Sequence, residues 1–278
     1  MGAFSAEWLR LREPVDHAAR STPLTRDVLG TLPRGPVGIL DLACGTGSNW
    51  RYLRGQILIC DAEGRARQKS RSDPDWLLVD HDPSLLALVE PGPNVRTIER
   101  DLRELDDSLF AGRALVTASA LLDLVSETWL RRLVLQCRAH DAAALFALTY
   151  DGRLAFEPAE PDDALIRDLV NGHQRRDKGF GPALGPLAVA AAADLFRSSG
   201  HDVRIAASDW ILHRASVPDA LQEQLIDGWA DAAVEMAPDR AVVVEVWRQK
   251  RRGHVTSGQS VLTVGHHDLA ALPLRRSA

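Results

Sequence analysis

The run ILDLACGTGSN, Ile39 to Asn49, constrains the fold more than any other stretch of the chain. Residues suited to a buried strand end in an acid, and two glycines follow within six residues. This is a strand, a glycine loop and the start of a helix. Missing side chains in such a loop let a ligand approach the main chain closely. Three kinds of ligand compete for it. A nucleoside triphosphate needs GxxxxGK[ST], and no lysine lies near the loop. A dinucleotide needs GxGxxG, but Trp50 stands where the third glycine would let helix pack on strand. A nucleoside without pyrophosphate needs neither.

Around this unit, short apolar runs alternate with helical stretches, the pattern of an α/β protein with a mainly parallel sheet. The spacing predicts helices within Glu7–Leu32 and strands at Val37–Ala43, Trp76–Asp80, Asn94–Arg100, Ala114–Ala120 and Ala143–Tyr150. Ser126 is placed to cap a helix beginning at Glu127. Later come a helix over Asp162–Val170, a loop over Asn171–Pro186 and a helix ending at Gly200. A strand over 202–212, one long helix over Val217–Arg252 and a last strand near 260–272 complete the chain. At 278 residues, one α/β core with added lid segments is expected.

Asp41 precedes Gly45 by four residues in D-L-A-C-G-T-G, and this resembles motif I of the class I S-adenosylmethionine (SAM)-dependent methyltransferases. The family more often has glycine where Ala43 stands. LLVDHDPSLL resembles the family's second strand, whose terminal acid receives both ribose hydroxyls; Asp80 matches it, with His81 beside it and Asp82 two residues on. In IERDLREL, Asp101 matches the acid at the adenine edge, with the Leu102 backbone next to the ring. LVTASALLDLVS, with Ser119, resembles the strand-four segment that floors the cofactor pocket. The resemblance covers roughly Val37 to Tyr150. It implies a doubly wound, mainly parallel seven-stranded sheet with a reversed last strand and a helical N-terminal lid. The lid would span residues 1–35 and the methyltransferase domain 36–278, with 151–200 shaping the acceptor pocket. Cofactor-binding expectations are therefore Asp41, Ala43, Gly45, Gly47, Asp80, His81, Asp101, Leu102 and Ser119, with S-adenosylhomocysteine (SAH) as product.

The acceptor should lie over strands four and five, beneath the lid segments. Tyr150 and Asp151 stand at a strand end, and the 171–186 loop brings His173, Arg175, Lys178 and Phe180. His173 is the expected base, since histidine titrates near neutrality. Arg175, Arg176 and Lys178 could grip a carboxylate or phosphate. Arg12, Asp16 and Arg20, four apart, share a helix face as an ion-pair stripe or as part of the lid, with Trp8 or Arg12 closing over the cofactor. His266 and His267 alternate across a strand, and no metal is expected.

The net charge of −5 argues against a nucleic-acid partner. The 55–75 stretch nevertheless carries Arg65, Arg67, Lys69 and Arg71, either a solvated insertion or an RNA-touching patch. Cys44, Cys60 and Cys137 have no metal or redox spacing and read as reduced thiols. No run is long enough to span a membrane and no secretory leader is visible, so a cytoplasmic protein is expected, monomer or homodimer. Only Lys69, Lys178 and Lys250 are lysine among 33 basic residues, and with the abundant alanine this points to a GC-rich bacterium. A small-molecule methyltransferase is the leading expectation. The alternatives are an RNA methyltransferase and a SAM-binding regulatory protein without catalysis.

Overall fold

The computed structural model describes residues 5–33, 35–62, 73–92 and 94–274, with the backbone alone for 59–62. Two helices open the chain, α1 (Ala6–Ala19) and α2 (Thr22–Thr31), each capped by a serine side chain, Ser5 and Ser21. Then β1 (Gly38–Leu42), α3 (Ser48–Ala62), β2 (Asp75–Asp80), α4 (Pro83–Leu86) and β3 (Val95–Glu99) alternate. They are followed by β4 (Arg113–Ser119), α5 (Glu127–Ala139) and β5 (Ala143–Glu157). Ser126 caps α5 as expected, accepting from the Trp129 N–H. The C-terminal half adds α6 (Asp163–Gln174), α7 (Ala188–Ser198), β6 (His201–Ala207), β7 (Trp210–His213), α8 (Asp219–Met236), α9 (Ala241–Thr256) and β8 (Val261–Pro273).

The strands form one sheet in the order β3-β2-β1-β4-β5-β8-β6, with β7 also paired to β8. Strands β1 to β5 are parallel. Strand β8 runs antiparallel to β5, β6 and β7. Helices α5 and α7 cover one face and α2 and α3 the other. Strands buried on both faces need continuous apolar runs, which is why β1, β2 and β4 read as such. A third apolar cluster gathers α6, α8, α9 and the outer ends of β5 and β8. The chain order turns back between β1 and β4, and open sheets bind ligands beyond the strand carboxyl ends at such a point.

The described chain departs from expectation at four places. Strand β5 runs on to Glu157 along β8, so Tyr150 and Asp151, expected at a strand end, lie within it. The strand expected over 202–212 is two strands, so the sheet has eight. It breaks at Ser208–Asp209, where the Asp209 carboxylate accepts from the His266 N–H (3.1 Å) and from Arg153, tasks a regular ladder residue does not perform. The helix expected over 217–252 is α8 and α9, parted at Ala237–Pro238, because proline cannot donate to the preceding turn and clashes with it. The first four residues of the expected 171–186 loop belong to α6. Arg65, Arg67, Lys69 and Arg71 lie outside the described residues, and so does the side chain of Cys60. Among the described residues no helix is long and apolar enough to cross a membrane.

Candidate functional site

The carboxyl ends of β1, β2 and β4 open onto a cavity of about 300 Å³. Helix α1 roofs it with Leu9, Arg12 and Asp16, and the loop after α6 closes it with Lys178, Gly179 and Phe180.

The glycine loop forms one wall. Ala43, Gly45 and Gly47 all take positive φ (52°, 54° and 84°), which explains a preference for glycine at the first of them. A Cβ on Gly45 would sit 3.1 Å from Leu9 Cδ1, so the roof rests directly on the loop. Three polar contacts extend this along α1 and its cap. Glu13 accepts twice from Arg51 (2.7 and 2.6 Å), and Arg51 also donates to the Thr46 carbonyl (2.7 Å). His17 Nε2 lies 3.1 Å from both oxygens of Ser48, and Arg20 donates to Asn49 Oδ1 (2.7 Å).

Beneath the loop, Asn49 donates to Asp41 (2.6 Å) and Thr117 (3.1 Å), and Thr117 donates to the Leu145 carbonyl (2.7 Å). Asp41 is fully buried and does not line the cavity; it holds Asn49, and so the loop, from below. Burial pushes its carboxyl up to about 7 against the Asn49 hydrogen bond and the Arg20 charge. The folded state therefore holds the proton more tightly than the unfolded chain. Stability from this group falls as pH rises from about 4 to about 7, and the loss is complete above that. Asp41→Asn keeps an acceptor for Asn49 and removes the ionisation. Its melting temperature is expected to fall less than wild type over that interval; parallel curves would contradict the assignment.

Asp80 ends β2 at the cavity wall. One carboxylate oxygen accepts from the Gly45 N–H (2.8 Å), the other from the Asp82 N–H (3.0 Å), with His81 Nδ1 at 3.3 Å. The carboxylate thus ties the glycine loop to the exit of β2. Asp82 lines the cavity but spends one oxygen on Ser84, capping α4. Asp101 and Leu102 line the wall after β3. Arg103 hydrogen-bonds Asp101 and holds its carboxyl below the ordinary range. The Leu102 carbonyl is fixed by Trp129 Nε1 (2.5 Å), and Ser119 ends β4 at the floor.

At the other end, Asp177 Oδ1 accepts from the Gly179 and Gly181 N–H groups (2.7 and 3.0 Å), which sets the loop across the opening. Phe180 packs edge-on against Trp129, centroids 5.6 Å apart. Lys178 Nζ lies 3.1 Å from His173 Nδ1, and His173 Nε2 lies 3.2 Å from Glu235. An ammonium can only donate, so Nδ1 accepts and the Nε2–H donates to Glu235. Burial and the Lys178 charge push the imidazole pKa down.

Of the residues singled out from sequence, Ala43, Gly45, Asp80, His81, Asp101, Leu102, Ser119, Lys178 and Phe180 share this one cavity. Asp41, Gly47, Tyr150, Asp151, His173 and Arg175 do not line it. His173 sits on α6 behind Lys178 with both ring nitrogens engaged, not on an open loop. The Tyr150 hydroxyl donates to Asn171 (2.8 Å), Asp151 pairs with Arg153, and Arg175 packs on Gly185. The stripe Arg12, Asp16, Arg20 divides: Arg12 grips Asp16 at the roof (2.8 and 3.0 Å), while Arg20 turns inward. Trp8 packs with the third apolar cluster. Asn49, Thr117 and Asp268, which anchor the loop and roof, carry no sequence signal beyond being polar residues in apolar surroundings.

No family model and no curated sequence relative matches the chain. Solved structures of similar shape were found. The YcgJ protein of Bacillus subtilis is 15% identical, with 93% of this chain and 100% of that one covered and a TM-score of 0.47. The cyclopropane synthase MmaA2 of Mycobacterium tuberculosis is 13% identical, with 96% and 94% covered and a TM-score of 0.47. An S-adenosylmethionine-dependent methyltransferase from Mesorhizobium loti is 16% identical, with 90% and 96% covered and a TM-score of 0.42. The decisive observation is the strand order of this chain itself, five parallel strands followed by a reversed strand inserted before β6. The chain has the class I methyltransferase fold.

Proposed function

We propose that the chain is a SAM-dependent methyltransferase acting on a small molecule. The observation that carries this reading is Asp80, whose carboxylate stands in the cavity wall against the Gly45 N–H at the turning point of the sheet. Two carboxylate oxygens facing a ribose diol gain charge-assisted hydrogen bonds. Asp101, beside the Leu102 backbone, receives the adenine amine. Ala43, Gly45 and Ser119 face the cofactor's amino-acid end, Gly47 shapes the loop, and Asp41 supports it through Asn49. His81 flanks the ribose.

SAM supplies a methyl group already activated as a sulfonium. The remaining work for this chain is to align an acceptor in line with it and to keep water out. Helix α1, within the lid segment, does the second. The first belongs to the 151–200 segment, through Lys178 and Phe180, opposite Arg12 and Asp16. The cavity closes under a helix and a short loop, which suits an acceptor of metabolite size.

Methyl-labelled SAM offered with a metabolite extract and, separately, with bulk RNA tests the reading. Label is expected in the low-mass organic fraction. Label confined to RNA would replace it with the nucleic-acid alternative, and SAH binding without any transfer would make the protein a SAM-binding regulator.

A further inference from the structure

The charged groups around the cavity are almost all matched. Arg12 has Asp16, and Arg103 has Asp101. Asp80 holds two backbone N–H groups, and Asp82 caps α4. Lys178 is the exception. Among the described residues it is the cavity-lining cation without a carboxylate at ion-pair distance, and its hydrogen-bond acceptor is the neutral His173 nitrogen. The acids that bias it, Glu235 behind His173 and Asp123 buried in the turn after β4, stand further off. The ammonium is part-buried, and burial pulls its pKa down. Two of its three N–H bonds have no protein acceptor among the described residues. A part-buried cation with donors to spare gains from an anion brought to it.

We propose that Lys178 recognises a carboxylate on the methyl acceptor, whose apolar body lies against Phe180, Leu121 and Leu124. This rests on the methyltransferase reading and names the substrate class for that site. A carboxylate fits better than a phosphate. The Gly179 and Gly181 N–H groups, which could have cradled a phosphate, are both taken by Asp177. What remains is one point charge with two free donors, enough for a singly charged group. Arg175 and Arg176, the other cations expected to grip an anion on sequence grounds, stand outside the cavity, and Arg176 pairs with Glu235 instead.

The test uses the full chain saturated with SAH, titrated calorimetrically with benzoate, phenylacetate and indole-3-acetate, each beside its neutral amide, and with phenyl phosphate. At least one acid is expected to bind tenfold or more tightly than its amide. Lys178→Met is expected to erase that ratio and Lys178→Arg to keep it, with SAH affinity within about twofold of wild type in both. Acids that bind no better than amides, or not at all, while SAH binds normally would overturn the inference alone. So would phenyl phosphate binding more tightly than every acid. A tenfold loss of SAH affinity in Lys178→Met would put Lys178 on the cofactor's own carboxylate and overturn it too. Wild type that binds no SAH would overturn the methyltransferase reading and this inference together.

Discussion

Asp80→Ala is expected to weaken SAH binding about a hundredfold, the largest effect of any single substitution in the cavity wall. The carboxylate anchors the Gly45 N–H at 2.8 Å, and in the proposed reading it also receives the ribose hydroxyls. Charge-assisted hydrogen bonds are worth roughly 1.5–3 kcal/mol each, so losing the pair costs about 3 kcal/mol, or two decades in affinity. Asp80→Asn keeps one acceptor oxygen and is expected to lose only about tenfold. The carboxylate is buried and accepts from two backbone N–H groups, so Asp80→Ala should also lower the melting temperature, and Asp80→Asn less. Calorimetry on both variants separates the outcomes. Wild-type affinity in Asp80→Ala would remove the ribose from this wall.

Asp268→Ala should be the most damaging substitution for stability, costing about 3–5 kcal/mol. Asp268 is fully buried on β8 and accepts from the N–H groups of Ser21 (2.8 Å) and Leu148 (2.9 Å). Leu148 has φ 54°, where the pairing of β5 with β8 slips between Phe146 and Thr149. The carboxylate therefore pins an irregular strand to the junction of α1 and α2. It is also the ion-pair partner of Arg20, at 3.8 Å, and Arg20 is itself buried. Without Asp268 the Arg20 charge is left among apolar groups, and burial already lowers its pKa. A drop in Tm on the order of 10 °C follows for a chain of this size. SAH affinity should fall as well, because Arg20 holds Asn49 and Asn49 holds the glycine loop. A stability loss under about 1 kcal/mol in chemical denaturation would contradict this account of the buried pair.

That Gly45, Asp80 and Asp101 share one cavity wall was legible because their signals are local. The glycine loop takes its special φ values at every second residue, Ala43, Gly45 and Gly47, within one short stretch, and Asp80 stands at the end of an apolar run. The acceptor half was not legible in the same way. His173, Lys178 and Glu235 meet only because α8 folds back against α6, and nothing near His173 in sequence shows that its ring is engaged on both sides. The contact between Asp268 and Ser21 spans most of the chain. Pro238 was readable as a helix breaker, yet the apolar spacing of α8 and α9 continues across it and favours one long helix. The split of β6 from β7 depends on Arg153 and His266, which recruit Asp209 from other strands.

The central claim is that this cavity is built for a nucleoside sulfonium cofactor, and calorimetric titration of the unmodified full chain with SAH tests it most directly. The account predicts saturable binding at one site per chain with a Kd at or below about 10 μM, roughly −7 kcal/mol. No saturable binding at millimolar SAH would contradict it.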